Sequence, residues 1–180
     1  MYFKIVVMAD LLVACHCESQ HGPVKVIGKE FNSIQYIDTN EGIHVSSEKC
    51  KPSENQFIQW YKIPNSSIDY IYGVSCPLYG ELYEGRIYED SSNMWRSLNK
   101  HGWNVLRANG KIIIPLNSNV MPDIKLKIKL KELMPLWAIT VVSSVPFHIE
   151  EKDAERYIIF KKPTKGGRRR KATRKQKVKN

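Results

Sequence analysis

"IDYIYGVSC", residues 68–76, is the stretch from which the fold is read. Its isoleucines, tyrosines and valine are the β-branched and aromatic types that suit a pleated, packed surface. Pro77 has no N–H to give a ladder and ends the run. The segment therefore predicts a strand. Downstream, Ser91 or Ser92 can cap a helix over about 93–107, with Met94, Trp95, Leu98, Val105 and Leu106 mostly on one face. "ANG" (108–110) stops that helix, with Gly110 expected in the left-handed conformation. "KIIIP" (111–115) then reads as a buried strand.

The same reading extends outward. "FKIVVM" (3–8) predicts a strand that "LLVAC" (11–15) extends or neighbours. "VKVIG" (24–28), "IQYID" (34–38) and "NQFIQWY" (55–61) predict further short strands, as do "WAITVVSSVPF" (137–147) and "RYIIFKK" (156–162). "DIKLKIKLKELMP" (123–135) fits both periods. Ile124, Leu126, Ile128 and Leu130 alternate with lysines as on a strand, while Leu126, Leu130, Leu133 and Met134 fit one helix face. Strands and a helix alternate through the middle and two strands close the chain. That order predicts an α/β fold with an antiparallel end to its sheet.

Charge is divided unevenly along the 180 residues. The formal total is +10, yet the last twenty residues hold 11 of the 28 Lys and Arg and none of the 18 Asp and Glu. Residues 1–160 are left with −1, a near-neutral body expected to fold as one domain. Residues 161–180 have no apolar cluster and are expected to be a disordered tail. Lys165, Arg168, Arg169, Arg170, Lys171, Arg174 and Lys175 are its candidate contacts to nucleic acid or another polyanion. Such a run also reads as a nuclear address.

Four cysteines, at 15, 17, 50 and 76, make no disulfide framework, and a reducing, intracellular compartment is expected. No run reaches the length of a membrane span. "LVAC" (12–15) resembles a lipoprotein cleavage box, but Asp10 interrupts the apolar run such a signal needs. Cys15 and Cys17 on a strand share a face and His16 takes the other. A C-x-C pair lacks the turn that zinc ligands use, so no metal is expected. Lining of a site at the sheet edge and plain packing both remain open for these three residues.

The order over 57–115 resembles class I S-adenosylmethionine-dependent methyltransferases. "IPNSSIDYIYG" is similar to the "LPFPDNSFDLVY" run that opens the family's fourth strand. "MWRSLNKHGWNVL", "RANGK" and "IIIP" are similar to its "W-x-x-L-L-K-P-G-G-x-x-I-I" ending, with Asn109-Gly110 for the glycine pair. "RYIIFKKP" resembles its last antiparallel strand, so the likeness covers roughly residues 24–163. It implies a Rossmann-like, mostly parallel sheet with an antiparallel C-terminal strand. It also implies S-adenosylmethionine as cofactor, with Asp38 on the ribose hydroxyls and Trp60 and Tyr61 near the adenine. Cys76, Pro77 and Tyr79 fall where amino-methylating members hold their acceptor, and Asp69 matches a structural acid at the strand start. The Lys-Gly-Gly and Arg/Lys tail is similar to C-termini of proteins from large nucleocytoplasmic DNA viruses, which implies a nuclear or virion setting.

The sequence also departs from the family. The glycine-rich turn after the first strand is absent: "VACHCESQHG" has only Gly22, and "VIGKEFNS" has one glycine. Gln59, Trp60 and Tyr61 stand where an acid near the adenine is expected. Methyl transfer, and a non-enzymatic binding or virion-associated role on the same fold with the tail as polyanion tether, are therefore both carried forward.

Overall fold

The computed structural model describes residues 9–14, 24–37, 60–73, 95–116, 122–150 and 154–163. Eight strands lie in these segments: β1 (Ala9–Ala14), β2 (Val26–Ile27), β3 (Phe31–Ile37), β4 (Ile68–Gly73), β5 (Leu106–Leu116), β6 (Ala138–Val142), β7 (His148–Ile149) and β8 (Arg156–Lys161). Helix α1 runs through 95–105, with a π-helical turn at Leu98–Gly102 and an α turn at Trp103–Val105. Helix α2 is Asp123–Leu133.

Six strands form one sheet in the order β3-β1-β4-β5-β8-β6. β1 pairs in parallel with β3 and β4, and β4 in parallel with β5. β8 inserts antiparallel between β5 and β6. This is the Rossmann-like, mostly parallel sheet with an antiparallel C-terminal strand that the order of motifs implies.

Alternate residues of each strand feed two cores, as the strand period requires. Leu12, Ile71, Ile112, Ile114, Ile158 and Phe160 face α1 and α2, where they meet Trp95, Leu98, Leu126, Leu130, Met134 and Trp137. Leu11, Val13, Tyr72, Ile113 and Tyr157 face the other way, onto Phe147 and Ile149 with Val24 and Val26 beside them. That second face is covered by the antiparallel β2–β7 ribbon. Gly28 closes the ribbon's entry to β3 at φ +94°, and a Cβ there would lie 2.8 Å from the Pro146 carbonyl oxygen. Glycine is required on both counts.

Several expectations are corrected. The strand expected over "VKVIG" shortens to Val26–Ile27, which pairs with β7 outside the main sheet. The strand expected over 55–61 is not continued at its end, because Trp60–Lys62 is a 3₁₀ turn. The left-handed residue of "ANG" is Asn109, at φ 67°, rather than Gly110. Asn tolerates that region better than other side chains. Gly110 is needed for space instead: a Cβ would lie 2.9 Å from the Arg107 carbonyl oxygen and 3.0 Å from Leu106 Cβ. Leu106 opens β5 rather than ending the helix. The ambiguous 123–134 segment is α2, and its helical face buries Leu126, Leu130 and Met134.

Lys161 ends β8, and Lys162 also belongs to the fold. The Lys162 amide donates to the Gly110 carbonyl (3.2 Å) and its ammonium to the Leu106 carbonyl (2.8 Å). Among the described residues no helix is long and apolar enough to cross a membrane.

Candidate functional site

In a parallel sheet every strand ends at the same edge, and loops from that edge carry the ligand contacts. Here Ile37, Ala14 and Gly73 end β3, β1 and β4 as adjacent neighbours. Ala14 is in register with Ile37 on one side and Gly73 on the other, and all three are buried. From β1 the chain passes outward to β3, then returns across β1 to β4. The reversal places a topological switch point between β1 and β4, where open α/β sheets form a ligand crevice. The two residues facing each other there have a methyl group and a hydrogen for side chains. The sheet edge at the switch point is therefore low, and a ligand can approach its backbone closely.

Asp38 follows Ile37 directly, Cys15 follows Ala14, and Cys76 is three positions beyond Gly73. The segments singled out in the sequence thus leave the sheet from three adjacent strands at one edge. Asp38, Cys76, Pro77, Tyr79, and the trio Cys15, His16 and Cys17 themselves lie outside the described residues. So do Lys165, Arg168, Arg169, Arg170, Lys171, Arg174 and Lys175 of the tail.

The adjacent aromatics Trp60 and Tyr61 have opposite surroundings. Trp60 is buried in the helix-side core; its indole N–H donates to Ser97 Oγ (2.9 Å), and its ring stacks on His101 at 5.5 Å and 17°. It anchors the 3₁₀ turn against α1. Tyr61 is 79% exposed. Its ring is open to a stacking partner, with the Lys62 ammonium 6.0 Å from its centroid. The turn then enters β4 from the amino edge, where the Ser66 and Ser67 amides donate to the Asn104 and Val105 carbonyls, each at 2.9 Å.

That amino edge is held by charge. Asp10 on β1 accepts from Ser33 Oγ (2.8 Å) and Asn32 Nδ2 (3.2 Å) on β3, and from Arg107 Nη2 (3.1 Å) on β5. Arg107 Nη1 also donates to Asp69 on β4, and Asp69 Oδ2 accepts the Asp10 amide (2.9 Å). One guanidinium and two carboxylates therefore clip together the four parallel strands. The Ser33 hydroxyl, more than the Asn32 and Arg107 contacts, holds the Asp10 carboxyl below its usual range against the opposing effect of burial. Asp69 is structural here, as its match to the family implies. The partners of Asp69 were not anticipated, although one signal was present: a lone carboxylate at position 10 inside an apolar run needs a partner.

β5 makes this clip possible. Ile68 aligns with Leu106 and Tyr70 with Lys111, so Arg107 to Gly110 bulge out opposite the single residue Asp69. The bulge re-aims Arg107 across β4 toward β1, a common use of such irregularities.

No family model and no curated protein matches the chain. Solved structures of similar shape include a protein from Sulfolobus solfataricus assigned to the type 11 methyltransferases, at 13% identity and TM-score 0.45, covering 88% of this chain and 87% of that one. Another is the T. thermophilus 16S rRNA N2 G1207 methyltransferase in complex with AdoMet and guanosine, at 10% identity and TM-score 0.43; it covers 89% of this chain, which spans 37% of its length. A third is the Burkholderia thailandensis 1,6-didemethyltoxoflavin-N1-methyltransferase with bound S-adenosylhomocysteine, at 9% identity and TM-score 0.44, covering 87% and 72%. The fold assignment rests on the chain's own strand order: with β8 antiparallel between β5 and β6 and a switch point between β1 and β4, this is a Rossmann-like, mostly parallel sheet with an antiparallel C-terminal strand.

Proposed function

We propose that the chain binds S-adenosylmethionine at the carboxyl edge, over the β1–β4 switch point, and directs its methyl group to an acceptor held by the segment after β4. The observation that carries this reading is the low edge formed by Ala14 and Gly73, in register between strands whose next residues include Asp38 and Cys15. When bound, the cofactor supplies an electrophilic methyl group. The chain's task is then placement, because in-line transfer gains most from orientation. In this reading Asp38 accepts from the ribose hydroxyls, and Tyr61 offers its exposed ring to the adenine. Trp60, fixed by Ser97 and His101, holds Tyr61 in place. Cys76, Pro77 and Tyr79 line the acceptor side.

Calorimetric titration of the full chain with S-adenosylmethionine and S-adenosylhomocysteine tests it. Asp38→Ala should cost about 1.5–3 kcal/mol of binding, the value of charge-assisted hydrogen bonds. Absence of binding at millimolar cofactor ends the reading.

A second reading is favoured by the charge distribution, with a near-neutral body ahead of eleven cations. We propose that Lys165, Arg168, Arg169, Arg170, Lys171, Arg174 and Lys175 engage nucleic acid without reading its sequence. If about six phosphates are neutralised, log K should fall with log salt at a slope of about −5. A chain ending at Pro163 keeps the Lys162 contacts and should lose this binding. Undiminished binding by that shorter chain refutes the assignment to the tail.

A further inference from the structure

Helix α2 buries one side and presents an unusual other side. Leu126 and Leu130 are fully buried against the sheet. At about 100° per residue, Ile124 and Ile128 lie on the opposite side of the helix, roughly 40° apart. They are 77% and 58% exposed, and Leu136, just beyond the helix end, is 63% exposed. Lys125, Lys127 and Lys131 are exposed and Lys129 is partly so. The helix holds these four lysines against Asp123 and Glu132. An isoleucine crest between rows of lysine is thus turned outward, on a helix already anchored by its other face.

We infer that this crest is an interfacial membrane contact: α2 lies along an anionic lipid surface, with Ile124 and Ile128 entering the headgroup boundary and Lys125 and Lys127, one on each flank, reaching its phosphates. Three alternatives fit less well. Duplex nucleic acid would satisfy the lysines but bring two isoleucines against a charged backbone with nothing apolar to cover them. A second copy of this helix would bring lysine rows against each other, with only two acids per helix to offset four lysines. A protein groove would have to receive a convex crest and be acidic at both rims. A lipid interface supplies the apolar layer and the anionic layer together, and long lysine stems reach from one to the other. The anchoring also fits. Trp137, next to Leu136, donates its indole N–H to Asn99 Oδ1 (2.8 Å), and Lys131 donates to the Trp137 carbonyl (3.1 Å). The C-terminal end of α2 is thereby tied to α1, so the crest is presented by a fixed helix.

The orientation has a consequence for the site. β5 ends at the carboxyl edge, and β6 starts at the amino edge, where Ala138 and Lys111 both align with Lys161. α2 must run back between them. Its first residues, including Ile124, therefore start from the same edge as the switch point.

The test uses the full chain and sedimentation with large vesicles of phosphatidylcholine alone or with about a third phosphatidylserine. The basic tail adds the same attraction in every variant, so the apolar changes are decisive. Ile124→Gln with Ile128→Gln leaves the charge unchanged and the buried face intact. If each side chain is half transferred from water, each contributes about fivefold, and the pair should lower the affinity for anionic vesicles about 25-fold. Lys125→Gln with Lys127→Gln should lower it by a similar factor, and only on the anionic vesicles. Ile128→Trp should give emission that shifts to the blue and is quenched by brominated lipid. Unchanged vesicle binding by the double isoleucine variant, with no shift in the tryptophan variant, overturns the inference. So does loss of duplex DNA binding, with vesicle binding retained, in the lysine variant. A dimer that the isoleucine changes dissolve would likewise overturn it in favour of self-association.

Discussion

Asp10→Ala should destabilise the fold by about 2–3 kcal/mol. The carboxylate is the hub of the amino-edge clip, and its side chain is 18% exposed. The Ser33 bond at 2.8 Å is partly buried, and a hydrogen bond to a charged group in that setting contributes about 1.5 kcal/mol or more. The Asn32 bond is exposed, and the Arg107 side chain is 42% exposed, so both belong with surface interactions of about 0.2–1 kcal/mol each. Alanine leaves no severe orphan, since Ser33 and Asn32 reach water and Arg107 keeps Asp69. The loss is therefore close to the sum of the three contacts. Asp10→Asn, which can still accept from Ser33, should cost about 1 kcal/mol. In a double-mutant cycle with Arg107→Ala the coupling should be about 0.5–1 kcal/mol. Urea unfolding followed by tryptophan emission measures all three, with an unchanged m-value as the check that only stability moved. A cost below about 0.5 kcal/mol for Asp10→Ala would refute the claim that this edge is held by charge.

The pH dependence follows with its sign fixed. The folded-state pKa of Asp10 is depressed, so its contribution is present above the unfolded carboxylate range and is lost as pH falls through the folded value. The stability gap between the native chain and Asp10→Asn should therefore narrow below about pH 4, as acid unfolding of both chains will show. Trp60→Phe removes the donor to Ser97, whose hydroxyl is buried, and should cost about 1–2 kcal/mol in the same urea assay. Gly28→Ala forces a side chain into φ +94° and against Pro146, and should cost about 1–3 kcal/mol. Its damage should be local: faster hydrogen exchange at the Glu150 amide, which bonds the Lys25 carbonyl at 3.0 Å.

The parts of the fold that were legible are those in which local composition and tertiary role agree. "IDYIYG", "IIIP" and "RYIIFK" are strands on any reading because their apolar runs serve two cores at once. The order of these elements around α1 carried the mostly parallel sheet and its antiparallel end. Legibility failed where a residue's role depends on a distant partner. Val26–Ile27 looks like any short strand, and only His148–Ile149, more than a hundred residues away, turns it into a separate ribbon. The lysine and leucine alternation of α2 was ambiguous because isoleucines stand on both the strand face and the exposed helix crest. For the site, the edge positions before Asp38 and Cys76 could be read from strand ends. The Ala14–Gly73 pairing could not, since register between strands fifty-nine positions apart leaves no local mark.

The ribbon also bears on the missing glycine-rich turn. In a βαβ unit the chain after the first strand makes a tight turn and a helix, whose amino end suits an anionic group. Here sixteen residues separate Ala14 from Phe31, and 24–30 are spent on β2 and its turn, which cover that face with Val24 and Val26. Nine residues join Ala14 to Val24, and Gly22 is the only glycine among them, so the glycine-rich run is missing from the sequence there. Without that run, the carboxylate of the methionine moiety has less close backbone to lie against; under the proposed function Asp38 and Tyr61 would still contact ribose and adenine. The proposed site should therefore read the nucleoside half of its ligand. 5′-Methylthioadenosine, which has no amino acid group, should bind within about fivefold of S-adenosylhomocysteine, because the contacts it lacks are worth less than about 1 kcal/mol here. Asp38→Ala should weaken both ligands equally. Competition calorimetry gives the ratio directly. A hundredfold preference for S-adenosylhomocysteine would show that a firm methionine site exists despite the ribbon, and would refute this account of how the fold is used.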